Sequence, residues 1–343
     1  MIKVRLNLRN VVKTVAILAV TTMFSGCDKK YDPIDDGQSG KPSDVYVVGD
    51  EENESGIAVA MLWKNGIAEK LTDGVIRSSA RSVFVSGNDV YVAGYEGNVI
   101  KLWKNGIAQN LTDGTNNAFT RSVFVSGNDV YVAGRESNGE KTIAKLWKNG
   151  TEQSFTDGSN NAAAYSVYVS GSNVYVAGSN NRAVLWKNGV QQNLSDEKGS
   201  TNAMGVFVQG NDVYVVGSEY QGTHYEAKLW KNGVPQVLNV ENMSANANSV
   251  YVSGSDVYVV GQMYLDKPAP AAALWKNSVP QYLTDGLYVA IASSVFALGN
   301  DVYVTGYENN ENGKGVAKLW KNGVLQNLTD GTKNANAWSV FVK

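Results

Sequence analysis

Residues 82–114, "SVFVSGNDVYVAGYEGNVIKLWKNGIAQNLTDG", hold the pattern that decides the fold. Residues 82–85 are β-branched or aromatic, as strands prefer, and the turn cluster at 86–89 separates them from a second strand at 90–93. Gly94 ends that strand, and a variable loop leads to a third strand at 100–104. Asn105-Gly106 predicts a type I′ turn into a fourth strand at 107–111. The segment therefore predicts four short antiparallel strands.

The phrase Leu-Trp-Lys-Asn within this segment recurs through the rest of the chain. Successive copies are 39 to 45 residues apart, a period typical of solenoids and propellers. Four antiparallel strands in a unit of this length predict a propeller blade. The tryptophan of each copy either fills the space between blades or forms an exposed platform for sugars, and its apolar neighbours favour the first role. The seven tryptophans are Trp63, Trp103, Trp147, Trp186, Trp230, Trp275 and Trp320.

The two ends of the repeat region complement each other. The first unit begins at its second strand, residues 44–49, and the chain ends with a lone first strand, residues 339–343. Pairing of these segments would complete one blade and close the ring, which protects sheet edges. We therefore predict an all-β fold over residues 44–343, a single seven-bladed β-propeller with four antiparallel strands per blade. The C-terminal strand is expected to join the N-terminal blade.

The stretch "RSVFVSGNDVYVAG" (81–94) resembles a kelch hairpin, and the chain is similar to the kelch and WD-repeat propeller families. Kelch units carry paired glycines where this chain has one, and no Trp-Asp pair of the WD type is present. The resemblance implies propeller architecture and implies no activity.

The N-terminus has the pattern of an export signal. Four basic residues precede an apolar run at 14–24, so residues 1–26 are predicted to be a signal peptide. The small pair Ser25-Gly26 before Cys27 resembles the lipobox of bacterial lipoproteins, which implies lipidation of Cys27; the alternative is ordinary cleavage beside an incidental cysteine. Residues 27–43 then form a lipidated, flexible tether. We expect an exported lipoprotein of the outer membrane, on its periplasmic or cell-surface face, held in the membrane through this lipid only.

Charge and residue counts exclude several functions. Residues 1–26 hold four of the 30 basic residues and none of the 32 acidic ones, so the remainder has a formal charge of −6 and no nucleic-acid partner is expected. The lone histidine, His224, excludes Ser-His-Asp and Cys-His catalysis unless it serves alone, and it is expected to be a solvated loop residue. No His/Cys cluster suits a metal, so we predict no catalytic residue, no metal and no cofactor. Aspartates that recur in the turns are expected to be structural.

A unique site must come from positions that differ between blades. The loops between strands two and three vary, and so does the residue just before each first strand, which is expected to ring the mouth of the central channel. Four of these residues, Arg81, Arg121, Tyr165 and Trp338, are the predicted ligand-binding residues, because two guanidiniums between two aromatic rings suit an acidic or sugar-like ligand. The alternative is that these residues differ between blades through sequence drift, because surface positions tolerate substitution. The seven mouth positions are Arg81, Arg121, Tyr165, Met204, Asn248, Ser293 and Trp338.

These observations predict a non-enzymatic, lipid-anchored envelope protein, a monomer that recognises a glycan or another envelope protein on one propeller face. The alternative is a propeller enzyme acting on polysaccharide, as a hydrolase or lyase. Such an enzyme would need a carboxylate or tyrosine pair at the mouth, and the mouth positions named above contain no carboxylate.

Overall fold

A computed structural model describes residues 43–196, 201–239 and 243–343. The predicted signal peptide, Cys27 and the tether up to residue 42 lie outside the described residues. Within those ranges the chain forms 28 strands in seven four-stranded antiparallel sheets. None of the residues described belongs to a helix long and apolar enough to cross a membrane.

Each sheet is one blade, numbered here in chain order. Blade 1 contains β1 (Val45–Glu52), β2 (Ala58–Lys64) and β3 (Ile67–Lys70), together with the last strand of the chain. Blade 2 contains β4 (Ser78–Ser86), β5 (Asp89–Glu96), β6 (Val99–Lys104) and β7 (Ile107–Asn110), and blade 3 contains β8 (Ala118–Ser126), β9 (Asp129–Ser137), β10 (Thr142–Lys148) and β11 (Thr151–Ser154). Blade 4 contains β12 (Ala162–Ser170), β13 (Asn173–Asn180), β14 (Ala183–Lys187) and β15 (Val190–Asn193), and blade 5 contains β16 (Thr201–Gln209), β17 (Asp212–Tyr220), β18 (Tyr225–Lys231) and β19 (Val234–Val237). Blade 6 contains β20 (Ala245–Ser253), β21 (Asp256–Tyr264), β22 (Pro270–Lys276) and β23 (Val279–Tyr282), and blade 7 contains β24 (Ala290–Leu298), β25 (Asp301–Asn309), β26 (Gly315–Lys321) and β27 (Val324–Asn327). The chain ends with β28 (Ala335–Val342).

The C-terminal strand closes the ring as the sequence predicts. Blade 1 has the strand order β28-β1-β2-β3, with Val47 opposite Val340 and Val45 opposite Val342. Beyond these strands, Asp44 and Lys343 exchange two backbone hydrogen bonds, at 2.7 and 2.9 Å. The prediction of a seven-bladed propeller closed by its own C-terminus is therefore confirmed.

The tryptophan of the repeated phrase is a packing residue. Trp103 packs with Val83 of its own blade and against Val48 and Leu62 of the preceding blade. All seven tryptophans are at most 1% exposed, which contradicts the alternative of sugar platforms. Because blades splay apart towards the rim, a large side chain on the third strand fills the space between them and stabilises the ring.

The Lys-Asn pair of the same phrase links two turns of one blade, the turn between its third and fourth strands and the turn between its first and second strands. Lys104 Nζ lies 2.7 Å from Asp89 Oδ2, and Asn105 Nδ2 donates to Asp89 Oδ1 at 2.8 Å. Asn105, at the hairpin turn, has a φ of 51° and accepts a hydrogen bond from the Val90 amide. Hydrogen bonds from Lys104 and then Asn105 lower the pKa of Asp89. The structural role predicted for this recurring aspartate is confirmed.

The inner two strands of each blade are longer than the sequence pattern predicted. β4 begins at Ser78, four residues before the predicted start, and β5 continues through Gly94 to Glu96. The reason is a β-bulge: Ala80 pairs with Gly94 and Ser82 with Ala93, which leaves Arg81 as the extra residue. A Cβ on Gly94 would overlap the Ser79 carbonyl oxygen, so the glycine permits the bulge rather than ending the strand.

The bulge is repeated in every blade, and it carries the seven variable positions. The unpaired residues are Arg81, Arg121, Tyr165, Met204, Asn248, Ser293 and Trp338. The glycines that face these bulges are Gly94, Gly134, Gly178, Gly217, Gly261, Gly306 and Gly49. A bulge bends the strand and turns its extra side chain away from the regular alternation, which is how these residues reach the channel.

Aromatic side chains form a closed circle three residues beyond the bulges. Each blade contributes one ring, and neighbouring ring centroids are 4.7 to 4.9 Å apart around the whole circle. Burial raises the pKa of the two tyrosines in the circle. The circle packs the inner strands together and narrows the channel beneath the mouth. Its members are Phe84, Phe124, Tyr168, Phe207, Tyr251, Phe296 and Phe341.

Candidate functional site

The bulge residues of all seven blades line one cavity of about 460 Å³ at the mouth of the channel. Arg81, Arg121, Tyr165 and Trp338 therefore line the same cavity, as predicted from their places in the ring. That they bind a ligand remains a prediction. A second cavity of about 360 Å³ adjoins the first and shares Arg81, Arg121 and Tyr165 with it.

Trp338 is held between a carboxylate and a guanidinium. Its indole Nε1 donates to Asp50 Oδ2 at 2.6 Å, and the Arg81 guanidinium carbon lies 4.2 Å from the centroid of its ring. Asp50 also accepts hydrogen bonds from Ser79 Oγ at 2.5 Å and Asn336 Nδ2 at 2.9 Å. Since the Asp50 side chain is buried and its partners come from two blades, it fixes the orientation of the indole.

Asp50 corrects the expectation drawn from the sequence. The mouth positions named there contained no carboxylate, whereas Asp50 lies in contact with one of them. The sequence feature that would have revealed Asp50 is the position directly after each repeated glycine, because the residue at this position also varies between blades. These residues are Asp50, Tyr95, Arg135, Ser179, Ser218, Gln262 and Tyr307.

Arginines and aromatic rings concentrate on the side of the mouth formed by blades 2 to 4. The Arg81 Nη2 atom donates to the Tyr95 hydroxyl at 3.2 Å. The Arg121 guanidinium carbon lies 5.4 Å from the Tyr165 ring centroid, and that of Arg135 lies 5.3 Å from the Phe119 centroid. Arg121 is solvent-accessible but lies inside the concave mouth, where burial and, next, the charge of Arg81 lower its pKa. This side of the mouth is thus cationic and aromatic.

The opposite side of the mouth carries amides and hydroxyls. Asn248 Nδ2 donates to the Ala292 carbonyl at 3.0 Å, which leaves its side-chain oxygen as an acceptor. The Ser293 hydroxyl is buried in the cavity wall and has no hydrogen-bond partner among the residues described. The polar residues of this side are Asn202, Ser218, Asn246, Asn248, Gln262 and Ser293. The mouth therefore offers positive charge on one side and neutral hydrogen-bonding groups on the other.

His224 lies away from this site. It occupies the loop between β17 and β18 and is absent from the lining of both mouth cavities. Its Nδ1 is 3.1 Å from Thr223 Oγ1, and its Nε2 is 4.0 Å from Glu226 Oε1. The expected loop position of His224 is confirmed. In the ranges that the structure covers, no group of three His, Cys, Asp or Glu side chains is placed to hold a metal ion.

Comparison with known proteins shows similarity of fold. No protein-family model matches the chain, and no curated protein matches it. A solved puromycin hydrolase has 9% identity and a TM-score of 0.56 over 84% of this chain and 52% of its own, and a puromycin-hydrolyzing peptidase of Mycobacterium tuberculosis has 11% identity and a TM-score of 0.56 over 83% and 51%. The WD40 propeller domain of Doa1 has 15% identity and a TM-score of 0.49 over 77% of this chain and 86% of its own. The chain thus spans about half the length of the puromycin hydrolase and of the puromycin-hydrolyzing peptidase, and identities this low show a shared fold alone.

These matches contradict the prediction of a non-enzymatic binding protein that recognises a glycan or envelope protein. By their descriptions, the two structures with TM-scores of 0.56 are a puromycin hydrolase and a puromycin-hydrolyzing peptidase, which agree better with the enzymatic alternative than with a binding protein. The kelch-like type of the repeat stays a prediction.

Proposed function

We propose that this propeller functions in the hydrolysis of peptides and that its mouth is the substrate-binding surface. The observation that carries the proposal is the fold shared with a puromycin hydrolase and a puromycin-hydrolyzing peptidase over more than four-fifths of this chain. Propeller folds serve many functions, so the fold alone does not fix the reaction, and the residues of the mouth must supply the recognition of substrate.

The geometry of the mouth suits a substrate of peptide size. Small-molecule sites commonly enclose about 300–1,000 Å³ and combine apolar walls with a few convergent polar groups. The main cavity, at about 460 Å³, falls in that range, and its walls hold aromatic rings, guanidiniums and amides. A peptide can stack side chains on the rings and pair its carbonyl and N–H groups with the amides.

The roles we assign concern binding and positioning. Arg81, Arg121, Tyr165 and Trp338 form the contact surface on blades 1 to 4. Asp50 is a positioning residue, because it orients Trp338, which in turn stacks on Arg81. The cleavage step itself is not assigned to any of these five side chains.

Replacing Arg81, Arg121, Tyr165 and Trp338 together with alanine should lower the rate of peptide cleavage by at least about tenfold, since each loses a contact to substrate. The full chain is incubated with a peptide mixture, and new termini are counted by mass spectrometry. The matched control replaces four exposed glutamines of the outer strands, Gln109, Gln153, Gln191 and Gln236, and should cleave like the parent.

Two results would contradict the proposal. A folded parent that leaves every peptide intact would exclude hydrolysis of peptides. A parent that cleaves only polysaccharide would restore the polysaccharide-acting enzyme as the better hypothesis.

We also propose that Cys27 is lipidated and that the chain is anchored in the outer membrane. Support comes from the basic residues, the short apolar run and the small residues before Cys27. Cys27→Ser should abolish incorporation of a labelled fatty acid and move the protein from the membrane fraction to the soluble fraction. An unlabelled parent protein would refute lipidation, whatever its distribution between fractions.

A further inference from the structure

Three arginines share one side of the mouth without carboxylate partners. Arg81 comes from blade 2, and Arg121 and Arg135 come from blade 3. None of them forms an ion pair within 4.0 Å in the part of the chain that the structure describes. Burial lowers the pKa of Arg121 most, and the positive charges of Arg81 and Arg135 lower it further.

Three lysines opposite the repeated glycine are paired with glutamates, whereas the arginines of the mouth are not. Lys101 lies 2.8 Å from Glu96, Lys228 lies 3.0 Å from Glu219 and Lys318 lies 2.6 Å from Glu308. In each pair the glutamate is two residues beyond the repeated glycine and the lysine is on the neighbouring strand. Arg81 and Arg135 are half-buried and Arg121 is exposed within the concave mouth. A bound anion would pair with these guanidiniums.

The surroundings of the arginines favour a planar anion. The guanidinium carbons of Arg81, Arg121 and Arg135 lie over the rings of Trp338, Tyr165 and Phe119, at 4.2, 5.4 and 5.3 Å from the ring centroids. A guanidinium has five N–H donors, so contact with a ring leaves donors for an anion. Those donors match the two oxygens of a carboxylate in a bidentate pair.

The rest of the mouth suits a peptide backbone attached to such a carboxylate. Asn202 lines both cavities, and Asn246 and Gln262 continue the polar wall away from the arginines. Side-chain amides both donate and accept, as the backbone of a peptide requires. The Ser293 hydroxyl, which has no hydrogen-bond partner among the residues described, is a further polar group on this side.

We infer that the mouth binds a peptide by its free C-terminal carboxylate, which pairs with Arg121 and Arg135 while the peptide extends along the amide side. This inference rests on the proposed function and names its substrate class, peptides with an unblocked C-terminus.

The test compares free acids with amides. The immobilised full chain is exposed to a library of N-acetylated tetrapeptides with free C-terminal carboxylates, and to the same library as C-terminal amides. Loss of a charge-assisted bidentate pair should weaken retention of the amides by at least about tenfold. The double variant Arg121→Gln, Arg135→Gln should retain acids and amides equally. Lys104→Gln, which removes a cation from the hairpin side of blade 2, should keep the parent's preference.

Each outcome separates this inference from the proposed function. Equal retention of acids and amides by the parent would overturn carboxylate recognition, while peptide cleavage would still stand on its own assay. An unchanged preference in the Arg121, Arg135 double variant would overturn the site. Displacement of the acids by oligogalacturonate at lower concentration than by an acid peptide would overturn the peptide as the occupant.

Discussion

Removal of residues 339–343 should lower the melting temperature by at least about 10 °C. The deletion exposes the inner edge of β1 and removes two core valines, Val340 and Val342, each of which contributes about 1.5–3 kcal/mol by its burial. It also removes Phe341 from the aromatic circle, so that Phe84 and Phe296 lose a neighbour. The loss is measured by thermal unfolding followed by circular dichroism.

A rearranged chain provides the matched control for this deletion. Because Asp44 and Lys343 already exchange two backbone hydrogen bonds, residues 335–343 can be moved in front of Asp44 and joined to it by an Asn-Gly turn. This variant keeps every strand and every blade, and it should melt at or above the temperature of the parent. A truncated protein that melts within about 2 °C of the parent would show that the closing strand contributes little, against the expectation for a change of several kcal/mol.

Trp103→Ala should lower the free energy of unfolding by about 3–5 kcal/mol. The indole is 1% exposed and lies between blades 1 and 2, where neither sheet can move far to refill the space because each is bonded into the closed ring. The cost therefore includes a cavity as well as the lost transfer of the side chain from water. Urea unfolding followed by intrinsic fluorescence measures it, since the other tryptophans remain.

Ile107→Ala is the control within the same blade. Ile107 is 77% exposed on the outer strand, so its truncation should change the stability by no more than about 0.5 kcal/mol. A cost below about 1 kcal/mol for Trp103→Ala would contradict the role of this tryptophan as a packing residue between blades.

Much of the fold could be predicted because nearly the same strand and turn pattern recurs in all seven blades. The period, the Asn-Gly turns and the offset between the two ends lead to the number of blades and to ring closure. The repeated glycine was misinterpreted as a strand end, because a glycine that ends a strand and one that faces a bulge look the same along the chain. Only the pairing of Ala80 with Gly94 and of Ser82 with Ala93 distinguishes them.

The candidate site was predicted in part for the same reason. The seven bulge residues could be found because they vary where the neighbouring positions do not, and the ring order places Trp338, Arg81, Arg121 and Tyr165 side by side. Asp50, Tyr95 and Arg135 were missed because they belong to the second strand of their blades, whereas the predicted positions precede the first strand of the sequence pattern. Asp50 and Tyr95 meet the bulge residues Trp338 and Arg81 through contacts between neighbouring strands.

The strand pattern of a blade, the number of blades and the closing strand can all be derived from the amino-acid sequence alone. These features depend on local turn geometry, on strand preference and on counting, and all of them can be seen in one repeat or in the two ends. The chemistry of the mouth follows only from the three-dimensional arrangement: the carboxylate that holds Trp338, the arginines that form no ion pair among the described residues, and the amides that face them. Those properties depend on distances between side chains from different strands and blades, and closure of the ring brings together residues as far apart in the chain as Asp50 and Trp338.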